Sequence, residues 1–489
     1  MQFFKMTVRD LNNSRPLDVH RWSDYPEVNS FVDVIHAEHF SDIPHKKTKT
    51  HLKVILLDLY LCWLEDEEKS LGVGMSSSFY NARSRYNSLH LSNHTILVVH
   101  RLEERGLIGL HKGSEWSRKT TRVWASESLV EAFEDAALNE FMIHTHEDKE
   151  TVILRDANKE PVEYKDDELP AVEAAKVTSM RQQLKEYNEA LFNTFIDIPT
   201  LEKGFIENLK SGRDEVRHSI SHHHKQVYRV FNNSSFDQGG RFYGGWWQNI
   251  PKRYRKDIFI DDQDTVEVDY KSIHIMLLYA KLGLDMDEEL KGEDAYTINI
   301  PFTSDDEEAR RLGKQLLLIC VNAKDQKAAL NAFKNVLVDE GYGKKAVSLK
   351  HKDLLPLIQA LKDKHAKIRD SFCSGAGIHL MNLDAEIASV VLDHCLQANI
   401  LPLIIHDSFI VNTLDEYVLR QIMKEAVKTV VSATDVKMSL TKNEDLYLSD
   451  FLETEERDRL KTTRYKHRLS LWSKQGRTRK QYDQDDIIP

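Results

Sequence analysis

Two stretches decide how this chain folds: DTVEVDYKSIHIMLLYAKLGL at residues 264–284, and ILPLIIHDSFIV at residues 400–411. In the first, TVEV alternates as a strand does, Asp269 follows it, and Ile273, Met276, Leu277 and Ala280 then recur at helical spacing. In the second, Asp407 sits between two apolar runs, LPLII and FIV, as at the tip of a hairpin. Each acid interrupts a hydrophobic strand. A carboxylate in such a place is costly unless it is paired or bound to a cation, so the two aspartates are predicted to meet in space and share divalent ions.

Between the two acids, EARRLGKQLLLICVNA (308–323) sets Arg310, Lys314 and Leu318 along one helix face, where two cations can grip a polyphosphate. Upstream of Asp269, GGRFYGGWW (239–247) carries Arg241. Taken in order, these four segments resemble the motifs of family A DNA polymerases and single-subunit phage-type RNA polymerases. DYKSIHIMLLYA is similar to motif A. Arg310, Lys314, Leu318, Asn322 and Ala323 fall on the five positions of the fingers-helix pattern RxxxKxxx(F/M)xxxYG. His406, Asp407 and Ser408 are similar to motif C, and Arg241 takes the arginine position of a template- and primer-contacting segment.

The resemblance covers about residues 238–450. It implies an α+β fold, a right-handed polymerase with a palm built on an antiparallel sheet and with helical fingers and thumb. It also implies two Mg²⁺ or Mn²⁺ ions on Asp269 and Asp407, and catalysis by these acids together with Lys314. Arg310, Lys314, Asn322, Tyr270 and His274 would bind the nucleotide, and Arg241 and His406 the primer and template. The implied partners are nucleoside triphosphates and a DNA template, with RNA as an alternative primer or product. Asn322 and Ala323 depart from the tyrosine and glycine of the pattern, and His274 stands where DNA enzymes carry a glutamate that excludes the 2′-hydroxyl. The choice of sugar is therefore open.

The front of the chain has a different character. An apolar helix is expected through HLKVILLDLYLCWLED (51–66), and a second one from a Ser92 cap to a stop at Gly106. A hairpin is expected over Leu107 to Ala125. Helices followed by a basic hairpin resemble a winged helix-turn-helix, with a helix for the major groove and cations for flanking phosphates. Asn93, His94, Thr95, His100 and Arg101 would form an exposed groove face, with Lys112, Arg118, Lys119 and Arg122 on the wing. A winged helix used for protein contact is the alternative.

The expected organisation is an arm over 1–45, a winged-helix domain over 46–130, a connector over 131–170 and a helical thumb-like region over 171–237. The palm and fingers follow over 238–450, and then a basic tail over 451–489. Within the connector, VILRD and PVEY look like a strand pair. The tail, with Tyr465, Trp472 and Tyr482, suits stacking on single strands or disorder. His222–His224 and the HTHED run at 144–148 read as solvated loops.

With 67 Lys+Arg against 78 Asp+Glu and a net charge of -11, overall charge does not advertise nucleic acid, so binding would depend on local basic grooves. The four cysteines are widely spaced and read as reduced thiols in a cytoplasmic protein. No uncharged run is long enough to cross a bilayer, so no membrane partner is expected. Two other functions fit the same residues: a DNA-binding replication initiator or regulator with a non-catalytic palm, and a template-independent terminal transferase.

Overall fold

The computed structural model describes residues 9–44, 46–113, 120–208, 216–343, 348–432, 436–442 and 458–475. It is a mixed α/β structure with several sheets built around two main hydrophobic cores.

The N-terminal core forms around helix Thr48–Glu65, which from Leu52 to Cys62 is buried on every side. A helix of that kind must be surrounded. Helices Pro26–His39 and His94–Glu104 pack on it, as does a four-stranded sheet ordered Ser14–Pro16, Ser70–Val73, Thr121–Ala125, Ile108–His111. The hairpin expected over 107–125 forms, with Ile108 facing Ala125 and His111 facing Arg122. Gly106 ends the preceding helix at φ +71, and Leu107 N–H returns to the Leu102 carbonyl at 2.9 Å, a left-handed helix stop that favours glycine.

Residues 9–44 are not a separate arm. They supply one strand and one helix to this unit, and Arg15 and Arg21 reach the fully buried Asp58 at 2.8 and 3.2 Å. The charge of Asp58 had to be matched from somewhere, and the N-terminal segment does it.

The second core is built on strand Gln263–Tyr270. Its alternation is clean: Val266, Val268 and Tyr270 point into the core, while Thr265, Glu267 and Asp269 point to the opposite face. One edge pairs antiparallel with Ser408–Asn412, which continues to Leu403–Ile405. The other edge pairs with Phe259–Ile260 and Met438–Lys442. Helices Ala171–Phe192, Gly377–Gln397 and Glu416–Val431 contribute to the same core. Helix Asp306–Asn322 starts where Asp305 accepts the backbone N–H groups of Glu307 and Glu308, and three acids fill its first turn.

Several expectations need correction. The region 171–237 is helical only as far as Phe192, and strands follow it. Helix Ala171–Phe192 is buried in the main core, where the Tyr187 hydroxyl donates to the Pro402 carbonyl at 2.6 Å. Val152–Leu154 is a strand, but it runs parallel to Tyr228–Asn232, and only an isolated bridge joins Arg155 to Pro161. His222 and His223 are buried: the His222 ring packs against Phe141 and Phe192, and the His223 ring meets that of His222 edge-on.

The tail also departs from expectation. Thr463–Lys474 is a helix that buries Tyr465 and Trp472 against Phe141 and Phe195. Arg468 pairs with Glu140 at 2.6 Å and with Asp197, and Arg464 reaches Asp197 at 2.8 Å. Arg464 and Arg468 are held by Asp197 and Glu140, while Lys466 and Lys474 stay exposed, so neither a solvated nor a stacking tail describes this helix. Tyr482 lies outside the described residues. Among the described residues no helix is long and apolar enough to cross a membrane.

If the C-terminal helix is an integral part of the fold, Trp472→Ala is expected to cost about 3–5 kcal/mol, as large-to-small changes at buried aromatics do. A shift of the urea midpoint reads this directly. A tail that merely dangles would leave the midpoint in place.

Candidate active site

The hairpin Leu403–Ile405 to Ser408–Asn412 turns on two residues, His406 and Asp407. His406 takes a left-handed φ of 53°, uncommon for a side chain larger than glycine but tolerated by histidine. Asp269 faces Ser408 in the register, and Tyr270 N–H donates to the Asp407 carbonyl at 3.2 Å. Asp269 on its strand and Asp407 in the turn just before the adjoining strand are thus diagonal neighbours, with Cα atoms about 6 Å apart by strand spacing.

The electrostatics agree with this closeness. Burial, then the charge of Asp407, then that of Glu267 push the Asp269 carboxyl up to about 6, although Lys252 and Lys314 oppose the shift. Burial likewise raises Asp407. Two acids held near each other, both disfavoured as anions, store a demand for positive charge.

A polar layer surrounds Asp407. Arg241, on strand Ser235–Tyr243, grips both carboxylate oxygens of Asp384 through Nε at 3.1 Å and again through Nη2. His274 Nε2 lies 2.9 Å from the same carboxylate. Asp384 is buried on helix Gly377–Gln397, and after the opposing effect of burial, His274 and Arg241 hold it below the usual carboxylate range. His406 packs its ring 5.5 Å from that of Tyr243, and burial beside Arg241 brings its imidazole down to about 4, so it is neutral near pH 7. On the other side, the buried Glu267 accepts from the Ser408 hydroxyl at 2.7 Å and lies 3.5 Å from Arg255.

Next to Asp269 opens a cleft of about 470 Å³ that Asp269, Tyr296, Arg310 and Lys314 help to line. Lys314 Nζ and the Arg310 guanidinium stand 5.5 and 5.3 Å from the Tyr296 ring, and Arg310 pairs with Asp294 at 2.7 Å. Gly313 explains how the helix comes so near: a Cβ there would lie 2.2 Å from the Tyr296 carbonyl oxygen.

Three expected nucleotide contacts sit elsewhere. The Tyr270 ring points into the core and its hydroxyl donates to the Met423 carbonyl at 2.6 Å, so only its neighbourhood on the strand borders the cleft. Asn322 folds back onto the Leu318 carbonyl at 2.7 Å and lies against Gly377, two helical turns beyond Lys314. His274 belongs to the Asp384 cluster beside Asp407, not to the lining of the cleft.

Sequence reasoning missed Asp384 and Glu267. Asp384 was detectable as a lone acid on a helical stripe with Leu380, Ala388 and Val391, and Glu267 as a second charge on the same strand face as Asp269.

Among the described residues no group of three or more His, Cys, Asp or Glu side chains gathers around one point in a way that could hold a metal ion. Two neighbouring carboxylates still suit Mg²⁺, which keeps much of its water and takes further oxygens from a bound phosphate.

The N-terminal helix His94–Glu104 does not present the face expected of it. Thr95 is fully buried and bonds His51 at 2.8 Å, because it continues the stripe of Val98, Val99 and Leu102 that faces the core. His94 bonds Thr48 at 2.9 Å. Arg101 pairs with Asp42 at 2.7 Å, and Asn93 and His100 are exposed. Lys112 is exposed near the hairpin end, and Arg122 turns back to the Leu11 carbonyl at 3.3 Å. Arg118 and Lys119 lie outside the described residues.

No family model matches the chain, and no curated protein matches it. Among solved structures it is similar to the polymerase domain of Pol1 from M. smegmatis, which was solved in complex with DNA primer-template and dNTP. That likeness has a TM-score of 0.32 and 11% identity, and it covers 85% of this chain and 66% of the other. The chain thus spans just under two thirds of that domain's length.

Two outcomes follow from this geometry. The folded state holds a proton on Asp269 up to a higher pH than the unfolded chain does, so ionising it costs stability as pH rises from about 4 towards 6 and above. Asp269→Asn should therefore be more stable than the wild type at pH 7.5, by about 1–2 kcal/mol after allowance for solvent screening, and the gain should vanish near pH 4. Denaturant titrations at the two pH values check it. Separately, Gly313→Ala should destabilise the fold by about 1–3 kcal/mol, as overpacking does, because the Tyr296 backbone must shift. A neutral or stabilising result, the ordinary effect of alanine in a helix, would contradict the close approach.

Proposed function

We propose that this chain is a template-directed nucleotidyltransferase that adds nucleotides to a 3′-hydroxyl. One observation carries the reading: the half-buried Asp269, near the end of strand Gln263–Tyr270, and Asp407, in the turn of the adjoining hairpin, lie side by side, and Asp269 borders a cleft whose lining also presents Arg310 and Lys314. That is a charge pattern suited to divalent ions on one side and a triphosphate on the other.

In this reading the strands around Gln263–Tyr270 form a palm, helix Asp306–Asn322 belongs to the fingers, and Asp269 and Asp407 would hold the metal ions. Such ions lower the pKa of a bound hydroxyl and offset charge on a transferring phosphate. Lys314 and Arg310 bind the triphosphate, and Lys314 can deliver a proton to departing pyrophosphate. Arg310 is shared with Asp294, so binding a phosphate there means exchanging one anionic partner for another. Neutral His406 and Arg241, held by Asp384, orient the primer strand next to Asp407. DNA template and nucleoside triphosphates are the partners in this scheme, and the sugar preference follows from contacts that the substrate brings with it.

The N-terminal unit fits a DNA-docking role through its helix and two-stranded wing, a likeness supported by the sheet order of Ser70–Val73, Thr121–Ala125 and Ile108–His111. Any groove face must be drawn without Thr95.

A primed template, an unprimed template and a bare single strand, each supplied with dNTPs or NTPs and Mg²⁺ or Mn²⁺, test the proposal. Extension on the primed template is expected, with a loss of at least about a thousandfold in Asp407→Asn, the scale on which key electrostatic groups act. Extension of the bare strand alone would point to terminal transfer. Incorporation under no condition, with DNA binding retained, would leave an initiator whose palm is structural.

A further inference from the structure

The lining of the Asp269 cleft includes residues 292–296, a segment in no helix or strand, and both cleft cations depend on it. Asp294 Oδ2 accepts from Arg310 Nη2 at 2.7 Å, while its Oδ1 is occupied by the backbone N–H groups of Tyr296 and Thr297 at 2.9 and 3.1 Å. Lys314 Nζ stands 5.5 Å from the Tyr296 ring. An irregular segment has no ladder or helix to fix it, so whatever holds this one in place also decides where the two cations stand.

It is held from behind by His365. This residue ends helix His351–Lys364, is fully buried, and does not line the cleft. Its Nε2 lies 2.9 Å from the Ala295 carbonyl oxygen and its Nδ1 3.2 Å from the Tyr279 hydroxyl. A carbonyl only accepts, so Nε2 carries the proton. Burial lowers the imidazole pKa although the Ala295 carbonyl opposes the shift, and the neutral ring then accepts the Tyr279 O–H at Nδ1. Both ring nitrogens are thereby committed, and the tautomer is set.

Tyr279 belongs to helix Ile273–Ala280, which follows Asp269 in the chain, and Ala295 sits between the partner of Arg310 and the ring beside Lys314. His365 is therefore a brace from the helix that continues the acid-bearing strand to the segment that places the cations. The residue before it acts in the same sense: Lys364 Nζ reaches Glu293 at 3.1 Å. Consecutive residues thus hold Glu293 and Ala295, and Asp294 between them meets Arg310. Ala295 is only 5% exposed, so a carbonyl that lost the imidazole N–H would have to move to find another donor.

We propose that His365 is a positioning residue for this cleft: through the Ala295 carbonyl it fixes where Asp294 and Tyr296 present Arg310 and Lys314 to the triphosphate of a nucleotide. It touches neither substrate nor metal and acts only through that segment. The nature of the ligand rests on the polymerase reading, whereas the brace itself is a property of the fold.

Calorimetric titration of the full chain with Mg²⁺ and either dATP or ATP tests it. The wild type is expected to bind the triphosphate, and Lys314→Ala to weaken it by at least about tenfold, as loss of a charge-assisted contact does. His365→Gln keeps an amide nitrogen at the Nε2 position and should stay within about threefold of the wild type. His365→Asn, too short to reach Ala295, should bind about tenfold more weakly, the scale of one buried hydrogen bond. A histidine that only stabilised the core would lower the urea midpoint in His365→Asn and leave the affinity of the folded protein unchanged. Ring nitrogen-15 shifts of the wild type, with His365 assigned by its loss in His365→Gln, give a readout that needs no ligand: a neutral ring protonated on Nε2 is expected at pH 7. Equal affinity of the Gln and Asn variants with the dependence on Lys314 intact, or a ring that is charged or protonated on Nδ1, would overturn the role of His365 alone. Binding that is absent, or indifferent to Lys314→Ala, would overturn the triphosphate reading of the cleft and the role with it.

Discussion

Asp269 and Asp407 are held side by side by backbone pairing alone: strand Gln263–Tyr270 runs antiparallel to Ser408–Asn412, and the hairpin turn at His406–Asp407 closes against Tyr270. No side chain of opposite charge bonds either carboxylate among the described residues, and burial raises both above the usual carboxylate range, with the charge of Asp407 adding to the rise at Asp269 and that of Asp384 adding to the rise at Asp407. The sheet forces together two groups that would separate in a flexible chain, and the surrounding core keeps them there. Val266, Val268, Phe409 and Val411, fully buried on the face behind the acids, supply the apolar burial that offsets this local cost.

The cations nearby are managed so as not to quench that pair. Arg241 could neutralise Asp407, yet its guanidinium is committed to Asp384, which also holds His274. Arg255 is turned towards Glu267. Lys314 reaches the field of Asp269 but sits over the Tyr296 ring instead of closing a salt bridge. Buried acids thus hold the cations near Asp407, while exposed cations face the cleft. That division leaves the aspartates available to divalent ions and the cleft cations available to phosphate, the arrangement the proposed chemistry requires.

What the sequence disclosed depended on whether a signal was local. The alternation TVEVDY fixes which residues of the strand face the core, and Gly106 and the Leu107–Ala125 hairpin are set by backbone preferences that neighbouring residues alone determine. Thr95 was misread because a threonine at the start of a helix is ambiguous until its partner is known, and His51 is forty-four positions away. The same holds for Asp384, whose role appears only when Arg241 and His274 converge on it from two other elements. The C-terminal segment, rich in Arg and Lys, looked solvated because composition does not show that Asp197 and Glu140 wait for those charges.

That last correction bears on how the two halves of the chain are joined. Asp197 lies on a short strand at the edge of the main sheet, and Glu140 follows the N-terminal unit, yet Arg468 bonds both. Phe141 and Phe195 flank the same contact, and Trp472 packs between them. An uncompensated acid at either position would carry a large burial cost, so removing the C-terminal helix would expose apolar surface and also strand Asp197, which has no exposure to solvent. The helix therefore acts as a clasp made of charge and aromatic packing together, and the cavity lined by residues 144–151 and His222–His224 opens beside the segments it pins.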